Sequence, residues 1–204
     1  RVVDVKKADL TSGMTANEAL KTYHFYVLWI VFFINIACGL GLISVIAPMA
    51  QDMAGMSAQQ AAVVVGLMGI FNGFGRLLWA GLSDYIGRPL TFIVLFSVNI
   101  AMSLVLMFLH IPILFITAMA ILMTCYGAGF SLIPPYLSDV FGAKELAALH
   151  GYILTAWAMA ALFGPMLLSI SYQLSGSYVT TLLLFTILYA LALGIAWWLI
   201  RKSQ

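Results

Sequence analysis

Six long apolar segments decide what this chain can fold into. They make up most of its 204 residues, of which 64% are hydrophobic and 8% are charged. A soluble domain of this size has about 25% charged residues. Each segment is close to the ~20 residues that a helix needs to cross a bilayer core of about 30 Å, whereas barrel strands are about half as long. The sequence therefore predicts an all-α integral membrane protein with six transmembrane helices.

Short connections separate the predicted helices and set their bounds. Residues 1–21 form a predicted cytoplasmic linker, in which Thr15 to Glu18 match a capping box for a short interfacial helix. Residues 22–204 form the helical bundle. The chain begins with Arg1 rather than Met and has no signal-peptide pattern, which suggests a fragment or a processed chain. The predicted helices cover residues 22–49, 58–83, 89–109, 112–136, 145–172 and 177–201.

The distribution of Lys and Arg predicts the orientation. Eight of the nine cations lie before the first helix, after the sixth, or in the second and fourth connections, and the other three connections hold none. The positive-inside rule then places both ends in the cytoplasm. We expect a multi-pass protein of the plasma membrane, here the inner membrane of a bacterium. The net charge of +2 comes from these flanks and gives no reason to expect nucleic acid as a partner.

The ninth cation, Arg76, is the only ionisable side chain in the interior of the six segments. A charge at membrane depth costs at least about 2.5–3.5 kcal/mol, so it usually faces a bundle interior or a water-filled cavity. Arg76 falls about 7–8 Å to the cytoplasmic side of the helix centre. Asn72 lies four residues earlier on the same face, and the two side chains together can hold a carboxylate. The alternative is an arginine that extends to the inner interface.

Other candidate residues for a binding pocket are aromatic or amide side chains. The Tyr126 hydroxyl can donate to a substrate oxygen, and Phe130, one turn along, can form a pocket wall. Trp157 and Asn35 are weaker candidates of the same kind. Ordinary packing in the core is the alternative for all four.

The fourth predicted helix carries further signals. Gly127 and Gly129 permit bending or tight packing, and Pro134-Pro135 is expected to break the helix near its inner end.

Enzymatic functions find no support in the pattern of residues. The acidic side chains lie at helix ends or in connections, and no two share a predicted buried face. No nucleophile elbow, P-loop or zinc-ligand spacing occurs. We therefore expect no enzymatic activity, no metal and no cofactor.

The connection after the second helix is a tight charged turn. Its glycines predict a close helix approach at Gly81 and a sharp turn at Gly87. Asp84 is expected to cap a neighbouring helix, and Arg88 to bridge to Asp84, Asp139 or Glu145. The predicted gating residues are Gly81, Asp84, Gly87, Arg88 and Asp139.

This turn, residues 81–88 with the sequence Gly-Leu-Ser-Asp-Tyr-Ile-Gly-Arg, resembles the loop motif of the major facilitator superfamily. Over nearly its full length the chain resembles the C-terminal half of the oxalate/formate antiporter and monocarboxylate transporter group within that superfamily. The other matching stretches are 25–29, 71–76 and 135–142. The resemblance implies helices 7 to 12 of a twelve-helix fold, arranged as two inverted three-helix repeats and paired with an N-terminal half.

The resemblance also implies roles for three positions. In that group the arginine matching Arg76 binds substrate carboxylate. Oxalate carriers have a second cation, a lysine, at the position of Trp157, so a single cation here favours a monoanion. Animal monocarboxylate transporters have an aspartate at the position of Asn72. Unlike that aspartate, Asn72 cannot carry a proton.

The predicted function is secondary transport of a small monocarboxylate such as lactate or pyruvate across the lipid bilayer, in symport with a proton. One alternative is an oxalate/formate-type anion antiporter. Another is a six-span membrane subunit that transports nothing.

Overall fold

The computed structural model describes residues 12–108 and 111–203, leaving aside the side chains of residues 200, 202 and 203. The first eleven residues of the predicted linker, Leu109, His110 and Gln204 lie outside this description. Within it, every element is a helix, numbered here in chain order. The helices are α1 Ala16–Ala19, α2 Tyr23–Ser44, α3 Ile46–Ala54, α4 Ala58–Ile86, α5 Arg88–Phe108, α6 Pro112–Phe141, α7 Leu146–Ser175 and α8 Tyr178–Ser203.

Six of these helices are long and apolar enough to cross a membrane, as the sequence predicts. They are α2, α4, α5, α6, α7 and α8, each with an apolar window of 18 residues. Burial is uneven among them, since 67% of that window is buried in α6 but only 22% in α4. The poorly buried helix α4 is the one that carries Arg76.

The prediction of one continuous first helix over 22–49 is wrong. The helix breaks at Val45, whose φ of −130° and ψ of 14° lie outside the helical region, and resumes as α3. Pro48 explains the position of the break, because a proline ring clashes with the carbonyl four residues earlier, here that of Ser44. Helix α3 then continues to Ala54, where Gly55 ends it with a φ of 63°.

The expected break at Pro134-Pro135 is also absent. Helix α6 continues through both prolines to Phe141, and Gly142 ends it with a φ of 84°. Leu132, Ile133 and Leu137 around the prolines are buried. Packing on neighbouring helices thus holds the segment helical, as membrane helices with proline allow. The inner loop is therefore shorter than the predicted 137–144.

The packing reveals two inverted groups of three helices. One group is α2, α4 and α5, and the other is α6, α7 and α8. The second helix of each group packs on the first of the other, as α4 on α6 and α7 on α2, while the third helices α5 and α8 pack together. A glycine makes the α4–α6 contact and the α2–α7 contact close. A Cβ on Gly75 would lie 2.4 Å from the Thr124 backbone, and one on Gly164 would lie 2.2 Å from the Ala37 oxygen. The sequence shows no repeat, but this symmetry agrees with the two inverted three-helix repeats that the resemblance implies.

The segment before α2 is fastened to the loop between α6 and α7. The Met14 amide donates to the Phe141 oxygen at 2.8 Å, and the Ala16 amide donates to Glu145 Oε2 at 2.7 Å. The predicted capping box of Thr15 and Glu18 is present. Hydrogen bonds from the Thr15 backbone and side chain hold the pKa of the Glu18 carboxyl below its usual value. The stabilisation by this box is thus lost only as pH falls through that lowered pKa.

Candidate functional site

Arg76 lies on an exposed face of α4, with its guanidinium turned back along the helix. Its Nη2 lies 3.5 Å from Asn72 Oδ1, a long hydrogen bond, and its Cζ lies 4.9 Å from the centre of the Phe130 ring. The contact with Asn72, one turn earlier, turns the guanidinium back towards the start of α4. An arginine extended past the end of the helix would not make this contact.

Phe130 in α6 is the centre of an aromatic cluster. Tyr126 in α6, Trp157 in α7 and Phe32 in α2 all meet it edge to face, with ring centroids 5.8, 5.9 and 5.8 Å away. Edge-to-face pairs at such distances stabilise each other's orientation. These contacts with rings of α2, α6 and α7 fix the Phe130 ring, which lies beside the Arg76 guanidinium of α4.

Five of the six predicted substrate-binding residues thus come together in one chain of contacts. Arg76 contacts Asn72 and Phe130, and Phe130 contacts Tyr126 and Trp157. The cluster combines one cation with a wall of aromatic rings. Trp157 is 44% exposed and Tyr126 is 8% exposed, so the tryptophan is the more accessible of these two rings.

Asn35 does not join this cluster, contrary to its prediction as a cavity residue. It is 1% exposed, and its Nδ2 donates to the Cys125 oxygen at 3.2 Å. The glycine at 129 leaves the space for this amide, since a Cβ there would lie 2.6 Å from Nδ2. The close fit of α2 against α6 therefore turns Asn35 inward.

Asn72 differs from its predicted role in one detail. Its Oδ1 faces Arg76, while its Nδ2 is buried and bonds no atom of the described residues. The amide thus orients the guanidinium, and its own N–H groups do not lie on the exposed face.

The cluster depends on a close approach of α4 and α6. A Cβ on Gly127 would lie 2.1 Å from the Asn72 backbone oxygen and 3.4 Å from Arg76 Cγ. Trp79 Nε1 donates to Thr124 Oγ1 at 3.3 Å across the same interface. The tight packing predicted for Gly127 is confirmed. Trp79 has no sequence signal that separates it from a lipid-facing tryptophan.

Gly127→Ala is expected to lower the thermal stability of the chain in detergent. The added methyl group must push the α4 backbone away, and overpacking of this kind costs about 1–3 kcal/mol. Gly194→Ala in α8 is the matched control, because a Cβ there meets no atom within 4 Å. We expect that variant to unfold at the same or a higher temperature, since alanine favours helix by up to about 1 kcal/mol over glycine. Equal melting of both variants would contradict the close contact.

Phe130→Leu is expected to raise the KM for substrate. Leucine has no π face, so the guanidinium loses a cation–π contact of about 0.5–2 kcal/mol, which corresponds to a roughly 2- to 30-fold change. Phe163→Leu is the control, because Phe163 packs on Phe33 at 6.4 Å and has no part in the cluster. An unchanged KM in Phe130→Leu would show that the ring does not position the charge.

The tight turn after α4 brings together three of the predicted gating residues. Arg88 Nη1 lies 2.6 Å from Asp84 Oδ1, and Arg88 Nε lies 3.6 Å from Asp139 Oδ2 at the end of α6. Gly87 makes the sharp turn with a φ of 84°. These contacts tie together the end of α4, the start of α5 and the end of α6.

The expected bridge of Arg88 is made to Asp84 and Asp139, while Glu145, the third alternative, accepts from the Ala16 amide. Two other expectations for this turn are not met within the described residues. A Cβ on Gly81 would meet no atom within 4 Å, so no helix approaches it closely. Asp84 pairs with the Arg88 side chain rather than capping a helix, because the turn brings that guanidinium within reach.

The chain is similar to known transport proteins. Its residues 8–204 match the model of the Major Facilitator Superfamily. The chain is 35% identical over 164 residues to the oxalate:formate antiporter of Oxalobacter formigenes. This alignment covers 78% of this chain and 38% of that protein.

Two more distant relatives are also similar. Identity is 26% over 149 residues with the uncharacterized MFS-type transporter YhjX of Escherichia coli, covering 72% of the chain and 37% of that protein. It is 32% over 104 residues with apicoplast pyruvate carrier 2 of Toxoplasma gondii, covering 48% of the chain and 16% of that protein. The chain thus spans less than two fifths of the length of these relatives. Together with the six-helix fold, the match over nearly the whole chain shows that it belongs to the major facilitator superfamily.

Proposed function

We propose that the chain is one half of a secondary transporter for a small monocarboxylate such as lactate or pyruvate. The observation that carries this proposal is the exposed Arg76, held between Asn72 and the Phe130 ring on a face of α4. A guanidinium presents a fork of N–H donors that matches a carboxylate. A second six-helix half closes the site, and the two halves rock about it in alternating access. Both ends of the chain lie in the cytoplasm.

The absence of a second cation in the cluster supports a monoanion. Trp157 supplies an apolar ring, 44% exposed, at the position where the resemblance implies a lysine in oxalate carriers. A dianion beside one cation leaves one negative charge without a partner, at a cost in a dry site. Lactate and pyruvate place one carboxylate on Arg76 and a methyl group against the aromatic wall.

We also propose that a proton accompanies the substrate. A monoanion that crosses with one proton moves no net charge, so the membrane potential does not oppose its entry. Asn72 cannot carry this proton. The described acidic residues lie at or near helix ends, as Asp52 in α3 and Asp84 in α4 do. The proton therefore travels on a group of the other half or on the substrate itself.

Exchange of two anions is the second candidate. It is favoured by the relative that is 35% identical and is named an oxalate:formate antiporter. Antiport needs no proton carrier, which agrees with Asn72 in place of an acidic residue.

Uptake of labelled L-lactate by liposomes that hold both halves distinguishes the two candidates. With a pH gradient, acidic outside, symport predicts accumulation in vesicles that contain no counter-anion, and collapse of the gradient by a protonophore abolishes it. Antiport predicts uptake only when the vesicles are loaded with formate or another carboxylate, with no response to the gradient. The second outcome would overturn the proposed coupling.

A further inference from the structure

Helices α2, α5, α6 and α8 enclose a common interior. Both α2 and α5 pack against α6 and α8, so the four helices form a closed ring. At the inner end of this ring lies a cavity of about 270 Å³ that all four helices line. Its lining includes His24 from α2, Pro89 from α5, Tyr136 from α6 and Leu199 from α8.

The middle of this ring contains polar side chains with unsatisfied hydrogen-bonding groups. Both polar atoms of Asn99, the Ser103 hydroxyl and Oδ1 of Asn35 are buried and bond no atom of the described residues. Asn99 and Asn35 are 1% exposed, and Ser103 is fully buried. The amide nitrogen of Asn35 is satisfied by the Cys125 oxygen.

The helix registers place these groups at similar depth. Phe92 of α5 stacks on Tyr136 of α6 at 5.8 Å, and the two helices are antiparallel. Asn99 follows Phe92 by seven residues and Gly129 precedes Tyr136 by seven, so Asn99 is level with Gly129. Asn35 lies at the same level, because its amide occupies the space beside Gly129. Ser103 is one turn further along α5, or about 6 Å.

Other hydroxyl groups of α5 and α8 donate hydrogen bonds to backbone oxygens of their own helix. Ser97 donates to the Ile93 oxygen at 2.8 Å, and Thr186 donates to the Leu182 oxygen at 2.7 Å, each within its own helix. Ser103 and Asn99 lack such bonds. A buried polar group without a partner is unfavourable, above all at membrane depth where lipid offers none. Several such groups on two helices, within about one helical turn in depth, therefore point to a shared partner.

We propose that the interior of this ring binds ordered water at the level of Gly129. Water both donates and accepts, and buried waters typically make about three hydrogen bonds to polar groups that would otherwise be unsatisfied. The amide of Asn99, the hydroxyl of Ser103 and Oδ1 of Asn35 supply these partners. Asn99, Ser103 and Asn35 do not belong to the cluster around Arg76, so this proposal does not rest on the proposed transport function.

Radiolytic labelling of the transporter in lipid nanodiscs tests the proposal. The protein is mixed briefly into ¹⁸O water and exposed to an X-ray pulse, and oxidised side chains are identified by mass spectrometry. Bound water exchanges slowly and labels its neighbours with ¹⁶O. Cys125, whose backbone oxygen bonds Asn35, is the reporter, and Met68 of α4, also fully buried, is the control. We expect ¹⁶O oxidation at Cys125 well above that at Met68. Oxidation of Cys125 no greater than that of Met68 would overturn the proposal.

Two variants assign the water to the polar groups. Asn99→Leu removes the amide and fills the space, so ¹⁶O oxidation of Cys125 should fall to the level of the control. Ser97→Ala, which removes a hydroxyl already satisfied within its helix, should leave it unchanged. Undiminished labelling in Asn99→Leu would show that the water is not held there.

Discussion

Replacing Arg76 by alanine is expected to abolish carboxylate uptake while the protein still inserts into the membrane. The substitution removes the single cation of the cluster, and truncating one partner of a buried charge pair costs about 2–5 kcal/mol, or roughly 30- to 4,000-fold in affinity. Insertion should improve, because the charge itself is costly at this depth. The measurement is uptake of labelled L-lactate by liposomes that contain equal amounts of wild-type and variant transporter.

Arg76→Lys separates charge from geometry. Lysine keeps the charge but offers a compact ammonium in place of the planar fork. We expect uptake well below wild type but above that of Arg76→Ala. Wild-type uptake by the alanine variant would rule out Arg76 as the carboxylate-binding residue.

Replacing Trp157 by lysine is expected to shift the substrate preference from monocarboxylate to dicarboxylate. A lysine here would place a second cation beside the Phe130 ring, which Arg76 also contacts. A charged hydrogen bond contributes about 1.5–3 kcal/mol, so inhibition by oxalate relative to pyruvate should increase roughly 10- to 150-fold. The measurement is the concentration of each acid that halves uptake of labelled L-lactate.

Trp157→Phe is the control for that change, since it keeps an aromatic wall and adds no charge. We expect its preference to remain that of wild type. If Trp157→Lys inserts normally and oxalate inhibits it no better than wild type, position 157 does not select between one and two carboxylates.

The number of spans follows from the sequence because the bilayer requires long apolar segments with internally bonded backbone. The shape of each helix does not follow as simply. Pro48 breaks the first span, whereas Pro134 and Pro135 leave α6 intact. Pro165 is likewise tolerated inside α7, so the same residue type has opposite outcomes in different helices. Which outcome a proline has depends on the contacts made by the surrounding helices, and a single sequence does not contain them.

The candidate site was partly predictable for a similar reason. Arg76 with Asn72, and Tyr126 with Phe130, are spaced four apart on one helix, so each pair is expected to share a face. The contact between Arg76 and Phe130 joins two helices and requires the glycine at 127, whose partner is visible only in the structure. Asn35 shows the opposite case, since nothing in its local sequence indicates that it turns inward.

The contact of the N-terminal segment with the α6–α7 loop could not be predicted at all. Gly13 and Gly142 meet backbone to backbone, and a Cβ on either would lie within 3 Å of the other residue. They are 129 residues apart and share no motif. Only the fold, which brings the start of α2, the end of α6 and the start of α7 together, places them side by side.

Direct binding tests most simply whether this half holds one carboxylate on one cation. Labelled L-lactate is bound at equilibrium to the purified transporter with both halves, and unlabelled pyruvate or oxalate is added in competition. The single-cation site predicts displacement by pyruvate at concentrations similar to those of lactate, displacement by oxalate only at much higher concentrations, and no saturable binding in Arg76→Ala. Oxalate that displaces the label as well as or better than pyruvate would contradict it.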